Sequence, residues 1–389
     1  MPSIAFLFAG LTLLIWIVLT FFRGAFWQLR AFDDDIAPHP SPLVWPRVLC
    51  VMPVRNEAET IARVVSSLAK QEYPGEFRIL IVDDHSEDAT SDLARTAAQQ
   101  AGAAERVRIL HAETLQGGWT GKLWALQQGI ASCEQDALEY FWFTDADIEH
   151  APDTLARLVS RAEQQRVDLV SLMVLLQAKT FPERLLIPPF LYFFLKLYPP
   201  RWIAATKART AGAAGGCILL RRSALERIGG FAAIRAEVID DCALARAVKR
   251  SGGTIWMGLT RKSVSLRAYQ TFGEIRDLIA RTAFTQLNYS SLLLLGTLAG
   301  MLLTYLAPVA FAFHPQPVVW RMGLAAWLLM AMTYLPTVRF YGLSPLWAPF
   351  LPAAAAFYSY ATWLSAVRYW LGRGGQWKGR AQAARATRP

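Results

Sequence analysis

The sequence predicts an α/β catalytic domain built on a largely parallel sheet, with membrane-spanning helices at both ends of the chain. Three observations predict it. Apolar strand candidates alternate with helical patterns from residue 47 onward, uncharged runs of membrane-spanning length lie toward both termini, and carboxylates recur where the strand candidates end.

Of the 389 residues, 54% are hydrophobic and 18% are charged, and the mean hydropathy is +0.25. A soluble domain is about 25% charged and about 45–50% apolar, so this chain is too apolar to be an ordinary soluble protein. Disorder, a collagen-like repeat and a disulfide scaffold are excluded on the same grounds. The net charge of +10 would point to nucleic acid only if the surplus lay on one folded surface. It does not: residues 1–44 carry −1, residues 45–290 carry +3, and residues 291–389 carry eight basic and no acidic side chains. The surplus flanks apolar segments, where anionic lipid headgroups would meet it, and no nucleic-acid partner is expected. Cys50, Cys133, Cys217 and Cys242 are widely spaced and contain no CxxC pair, so neither a structural zinc site nor a disulfide framework is indicated.

Residues 4–22 are 19 uncharged positions followed by Arg23 and Arg30. The length suits one spanning helix, and basic residues after the apolar run favour an uncleaved anchor (1–23) with its C-terminal end in the cytoplasm. Residues 24–46 turn acidic and then proline-rich, which reads as a linker. Strands are predicted at 47–54, 78–84, 106–110 and 140–147, and helices at 59–71, 91–102 and 122–133, the pattern of parallel βαβ units. The 181–203 stretch is strongly apolar but broken by five prolines and Lys196. It is read as a helix lying at the bilayer interface, with a buried core helix or a re-entrant piece as alternatives. Residues 215–253 read as a strand and two helices that end at glycine pairs. From 291 to 370 the chain is again apolar, in about three segments (291–313, 322–338 and 340–367), and 371–389 is a basic tail. Three C-terminal spans would put that tail outside, whereas the positive-inside rule wants it inside. Either the proline-interrupted 340–367 segment is re-entrant or a further crossing exists.

The chemistry is concentrated in carboxylates at strand ends, the ligand edge of such a sheet. VDDHS supplies Asp83 and Asp84, TDAD supplies Asp145 and Asp147, and IDD supplies Asp240 and Asp241. Two aspartates at i and i+2 just past a strand can both turn toward one hard cation beside phosphates, Mg²⁺ or Mn²⁺. A third carboxylate pair from a later segment would serve as base or as support for the metal ligands. In PVRNE, Asn56 and Glu57 either cap the next helix or hold a base or ribose. GGWTGK is not a Walker A motif, yet Lys122 is placed to reach a diphosphate. Of the five histidines only His85 lies near the carboxylates, and no HExxH, Cys/His cluster or GxSxG elbow exists. The aromatic run at 140–143 is read as sheet core.

Together, PVRNE, VDDHSEDAT, GWTGKLWAL, TDAD, GGCILLRR and IDDCALA, in that order, resemble the inverting family 2 glycosyltransferases. Through residues 280–308 the chain is most similar to their hopene-associated subgroup of bacterial membrane proteins. The resemblance implies a GT-A nucleotide-diphospho-sugar transferase fold, a Rossmann-like mixed sheet, over residues 47–290. It implies that Pro53, Asn56 and Glu57 lie near the nucleotide, that Asp83 and Asp84 contact uracil and ribose, and that Lys122 lies near the donor. Asp145 and Asp147 match the metal-holding DxD, and Gly215 and Gly216 match a loop beside the acceptor. Asp241 takes the place of the catalytic base, with Asp240 matching the acidic residue before it. Processive synthases of the superfamily carry a Gln/Arg-x-x-Arg-Trp motif, but this chain reads RTAFTQ at 281–286. Arg281 and Gln286 are kept as acceptor-side candidates, and polymer extrusion is disfavoured.

The expected activity is therefore inverting transfer of a hexosyl or N-acetylhexosaminyl group. The donor is a UDP-sugar or similar nucleotide sugar, and the acceptor is a membrane lipid, which the subgroup implies is a hopanoid. The expected location is the bacterial inner (cytoplasmic) membrane, multi-pass, with the catalytic domain cytoplasmic. The alternatives are a processive polysaccharide synthase and a catalytically inactive membrane scaffold, against which the intact acidic set argues.

Overall fold

The computed structural model describes residues 3–33, 42, 44–372, 376–377 and 380–381. Residues 34–41 and 43 of the predicted linker and Arg373, Lys378, Arg385 and Arg388 of the basic tail lie outside the described residues. The chain forms two compact units, each discontinuous in sequence. One is built from Ala31–Leu176 and Trp202–Ala268, the other from Met1–Arg30, Gln177–Arg201 and Tyr269–Gly375. The sequence reading draws 47–290 as one block. The structure assigns the apolar 177–201 stretch and residues 269–375 to the second unit.

The first unit is organised by one mixed sheet. Its strands are β1 (Val48–Val54), β2 (Phe77–Asp83), β3 (Val107–His111), β4 (Tyr140–Thr144), β5 (Ile148–His150), β6 (Leu169–Leu175), β7 (Cys217–Arg221) and β8 (Ile255–Ser265). The spatial order is β3-β2-β1-β4-β7-β6-β8-β5. β1, β2, β3 and β4 pair in parallel, as the alternating pattern predicts. Every residue of β1 and β4 is buried, the signature of strands covered on both faces. Helices Ile61–Ala69, Thr90–Gln100 and Gly121–Ala131 follow the first three strands at the predicted places. β7 then runs antiparallel to both β4 and β6, which makes the sheet mixed. Its register sets Thr144, the last residue of β4, opposite Cys217, the first of β7. The loop entering β7 is thereby laid beside the residues that leave β4.

Part of the predicted linker is anchored in this unit. The Asp33 N–H donates to the Leu259 carbonyl (3.0 Å), and its carboxylate receives Arg157 Nε (3.0 Å) and Arg161 Nη2 (2.8 Å). Asp33 is 3% exposed and Arg161 2%, and the Arg161 guanidinium lies 3.8 Å over the Trp256 ring. Removing one member of a buried ion cluster strands the others without compensation, which costs about 3–5 kcal/mol. Asp33→Ala is accordingly expected to destabilise this unit by that amount. Denaturant unfolding followed by tryptophan fluorescence measures it, and a loss below about 1 kcal/mol, the scale of an exposed pair, would show that the cluster is not the anchor described.

The second unit is helical. Three of its helices are long and apolar enough to cross a membrane: Ile4–Phe22, Ser291–Phe311 and Pro317–Phe340. The second of these contains a π-helical turn, Leu302–Leu306, just before Pro308. Proline has no N–H to offer the Thr304 carbonyl four residues earlier, and Trp16 of the first helix donates its indole Nε1–H to that oxygen (2.7 Å). The third predicted C-terminal segment, 340–367, divides into a short 3₁₀ turn (Pro345–Phe350) and the helix Leu351–Trp370. Ser359, Thr362, Ser365 and Arg368 dilute the apolar character of that helix, and it is not among the three. Arg368 pairs with Asp277 (2.7 Å) and Ser365 Oγ donates to the Ala280 carbonyl (2.5 Å). The proline-rich stretch forms one helix, Phe181–Leu197, opened by a Thr180–Glu183 capping box. Its buried residues include Leu186, Leu191, Tyr192 and Leu195, and Tyr192 hydrogen-bonds Thr333 (2.8 Å). This is packing within the unit, while Phe181 and Leu197 at the helix ends stay exposed.

Candidate active site

Four segments of the mixed-sheet unit converge on one cleft. Pro53 lines it from β1, and Thr144 and Asp145 from the end of β4. Lys122 reaches in from the first turn of the helix Gly121–Ala131, and Asp240 and Asp241 from the first turn of the helix Asp240–Arg250. The position is the carboxyl edge of a parallel sheet, where ligands of such folds bind. Lys122 is the electrostatic centre: its Nζ lies 2.8 Å from Asp145 Oδ1 and 3.4 Å from Asp240 Oδ2. Burial works against the ammonium charge, but Asp145 and Asp240 outweigh it and hold Lys122 protonated, well above the usual lysine range.

Asp241 is held by backbone donors. Its Oδ2 accepts the Gly215 N–H (2.9 Å) and its Oδ1 accepts the Cys242 N–H (2.6 Å). Burial, and then the neighbouring charge of Asp240, push its carboxyl up to about 6, while Lys122 and the two N–H donors restrain the shift. A carboxyl in that range is suited to taking a proton near neutrality. Gly215 is close-packed: a Cβ there would lie 3.3 Å from Lys122 Nζ and 3.5 Å from Asp241 Oδ2. At Gly216 a Cβ would come within 3.1 Å of Val174.

The remaining candidates form two further groups. Asp147 accepts a hydrogen bond from Ser265 Oγ (2.9 Å) and lies 3.6 Å from Arg267 Nε. Arg267 Nη2 also contacts both Glu57 carboxylate oxygens at 3.3 Å, so Glu57 and Asp147 share one arginine. Burial, then Asp145, raise the Asp147 carboxyl above its usual range. At the ends of β1 and β2, Asp83 and Asp84 are 4% and 1% exposed. Asp83 accepts the Ser86 N–H (2.8 Å) and the Ser91 hydroxyl (2.5 Å). Asn56 Oδ1 accepts the Glu87 N–H (2.8 Å), tying the two strand-end loops together. Asn56 and His85 both hold positive φ, +51° and +54°, a conformation that few residues other than glycine adopt. Arg281 and Gln286 belong to the helical unit, where Gln286 Nε2 donates to the Tyr198 hydroxyl (2.7 Å).

Sequence reasoning missed Arg267, Ser265 and Arg55. Arg55 is buried and donates from Nη1 to the carbonyls of Asp84 (2.6 Å) and His85 (3.1 Å), fixing the loop after β2. It sits inside the PVRNE motif, so its position was visible although its role was not. Among the described residues no three His, Cys, Asp or Glu side chains converge as a metal-binding group. Asp145 and Asp147 offer two hard carboxylates, a set that fits a cation taking its other ligands from phosphate and water.

The family model "Glycosyl transferase family 2" matches residues 49–229, which include β1 after Val48, β2, β4, Lys122, the two DxD aspartates and the Gly215–Gly216 loop. Over that stretch, just under half of its length, the chain is similar to family 2 glycosyltransferases. Glycosyltransferase AglE of Haloferax volcanii is 32% identical over 126 residues, 32% of this chain and 38% of that protein. The undecaprenyl-phosphate 4-deoxy-4-formamido-L-arabinose transferase of Pseudomonas syringae is 29% identical over 127 residues, 32% of this chain and 34% of that protein. The chain thus spans a little over a third of the length of these two relatives. In three dimensions the protein is similar to the mannosyltransferase PcManGT of Pyrobaculum calidifontis, solved with GDP-Man and Mn²⁺. The TM-score is 0.55 at 19% identity, covering 92% of this chain and 99% of that one. The glycosyltransferase fold is therefore GT-A-like, with apolar helices toward both ends.

Proposed function

We propose that this protein transfers a sugar from a nucleotide-diphosphate donor, a UDP-sugar or a similar nucleotide sugar, to a hydroxyl of a membrane lipid, inverting the anomeric centre. The observation that carries the reading is the convergence of Asp241, Asp240, Lys122 and Asp145 on one cleft at the strand ends. Asp241 takes the proton of the acceptor hydroxyl as that oxygen attacks the anomeric carbon. The bond from this carbon to the diphosphate oxygen breaks, and the nucleotide diphosphate leaves with the electron pair. One displacement inverts the centre and requires no covalent enzyme intermediate. Lys122 offsets the charge that develops on the leaving group.

Asp145 and Asp147 are the proposed ligands of Mg²⁺ or Mn²⁺, which when bound supplies charge neutralisation at the diphosphate. Pro53, Asn56, Glu57, Asp83 and Asp84 are assigned to the nucleotide side of the donor. Gly215, Gly216, Arg281 and Gln286 are assigned to the acceptor side. A lipid acceptor is supported by the three apolar helices of the chain and by a relative whose name carries undecaprenyl phosphate. Among lipids a hopanoid is proposed, on the resemblance of residues 280–308 to the hopene-associated subgroup. A multi-pass placement in the bacterial cytoplasmic membrane, catalytic unit inside, follows from the basic residues after the first apolar helix.

The test uses full-length protein in detergent with a bacterial lipid extract. UDP release from a UDP-sugar is expected with Mn²⁺ or Mg²⁺, to stop on chelation with EDTA, and to return on adding Mn²⁺. Absence of nucleotide release from every UDP- and GDP-sugar tried would sink the enzymatic reading. Mass spectrometry of lipids from cells with and without the gene identifies the acceptor, and a glycosylated lipid that is not a hopanoid would overturn that part alone.

A further inference from the structure

Ser171 occupies the middle of β6, LVSLMVL, a strand otherwise apolar throughout, and it is completely buried. A buried hydroxyl costs free energy unless it is bonded, and this one grips a single residue. Ser171 Oγ accepts the Ala214 N–H (2.8 Å) and donates to the Ala214 carbonyl (3.2 Å). That carbonyl belongs to the same peptide plane as the Gly215 N–H, the group that donates to Asp241 Oδ2 at 2.9 Å. Orienting the carbonyl therefore orients the N–H.

A second clamp holds the far side of the same loop. Thr144 Oγ1 donates to the Gly216 carbonyl (3.1 Å) and lies 2.8 Å from His150 Nε2, while His150 Nδ1 lies 2.8 Å from Ser263 Oγ. With the threonine's one hydrogen given to the Gly216 carbonyl, His150 Nε2 donates to Thr144 Oγ1 and Nδ1 accepts from the Ser263 hydroxyl. Burial holds the imidazole neutral, down to about 3, so the arrangement survives any ordinary pH. There is little spare room beside Gly216 on the sheet side: a Cβ added there would lie 3.1 Å from Val174 and 3.4 Å from Ile148.

We infer that Ser171 and Thr144 are positioning residues for the acceptor-activating carboxylate: between them they lock the 214–216 loop so that the Gly215 N–H is aimed at Asp241. Thr144 is itself held by His150 and Ser263. The inference rests on the reading of Asp241 as the base. None of these four residues takes a proton in the reaction. They act on the pose of one backbone donor.

The experiment compares full-length wild type, Asp241→Asn, Ser171→Ala, Thr144→Val and Thr144→Ser, each checked by thermal melting. It measures kcat for UDP release from a UDP-sugar with lipid extract, and UDP binding in the presence of Mn²⁺. Loss of one hydrogen bond to a charged group is worth about a tenfold effect. Ser171→Ala and Thr144→Val are expected to lower kcat about that much while UDP affinity stays within about twofold. Thr144→Ser, which keeps the hydroxyl and loses the methyl, is expected to retain wild-type kcat. A role in packing alone predicts the reverse pairing, with the isosteric valine active and the smaller serine impaired, and that result would overturn the inference. If Ser171→Ala does not fold, the valine–serine pair at position 144 still decides. Full activity in Asp241→Asn would refute the underlying assignment of the base. Inactive Asp241→Asn together with fully active Ser171→Ala and Thr144→Val would refute only the clamp.

Discussion

Asp241→Asn is expected to lower kcat by roughly 10²–10⁴-fold, the contribution of a positioned general base, while leaving UDP binding nearly intact. Asparagine keeps the size of the side chain, and its carbonyl oxygen can still accept the Gly215 N–H, so the loop before β7 should hold. What is lost is the ability to take a proton. The wild-type enzyme should show the same dependence as a function of pH. Burial and Asp240 raise this carboxyl to about 6. Below that value it is protonated and cannot accept, so kcat/KM should fall about tenfold per pH unit, and above it the rate should level off. A rate flat from pH 5 to 8, or equal loss of turnover and UDP binding in Asp241→Asn, would mean that the residue serves the fold rather than the chemistry.

Lys122→Met should be nearly as damaging, with kcat reduced roughly 10²–10³-fold, the scale of losing one preorganised charge stabiliser. Two separate consequences follow from the geometry. The cation that would face the leaving diphosphate disappears, and the carboxylates of Asp145 and Asp240 lose the ammonium that lies between them. Lys122 also restrains the Asp241 carboxyl, so its removal should move the acid limb of the pH profile upward. An unmoved limb accompanied by the full loss of kcat would separate the leaving-group role from the electrostatic one. Turnover unchanged in Lys122→Met would remove this lysine from the site altogether.

The parallel half of the sheet was legible because its strands obey a local rule. β1, β2 and β4 are nearly unbroken apolar runs, and each stops at a polar turn that the next residue or two declares. The carboxylates at those turns could be picked out for the same reason. β8 was not legible: Gly258, Thr260, Arg261 and Lys262 interrupt it, and it reads neither as a buried run nor as a clean alternation. With the strand unseen, Ser265 and Arg267 had no strand end to mark them. Pairings across long stretches of chain were equally hidden. Asp33 meets Arg157 from 124 residues away, and nothing in the acidic run around it distinguishes a buried anchor from a solvated linker. Lys122 could be singled out from its glycine-rich approach, but its contacts with Asp145 and Asp240 depend on a strand end and a second helix that come from distant parts of the chain. Ser171 was visible as a polar residue inside an apolar run, a signal that gains meaning only once the loop it grips is known.

The order in which the sheet is assembled has a consequence for synthesis. β3, β2, β1 and β4 come from one continuous stretch, Val48–Thr144, and can pair as soon as it has emerged. The outer side of β4 is closed only by β7, at Cys217–Arg221, after the whole apolar helix Phe181–Leu197 has been made. During that interval the nascent chain carries YFWFT as an unpaired edge, aromatic, uncharged and lacking the lysine or proline that usually blunts such an edge. Fragments that end between Asp145 and Gly216 should therefore aggregate through β4. Fragments extended past Arg221 should not do so by that route, which sets a practical limit on where this protein can be cut.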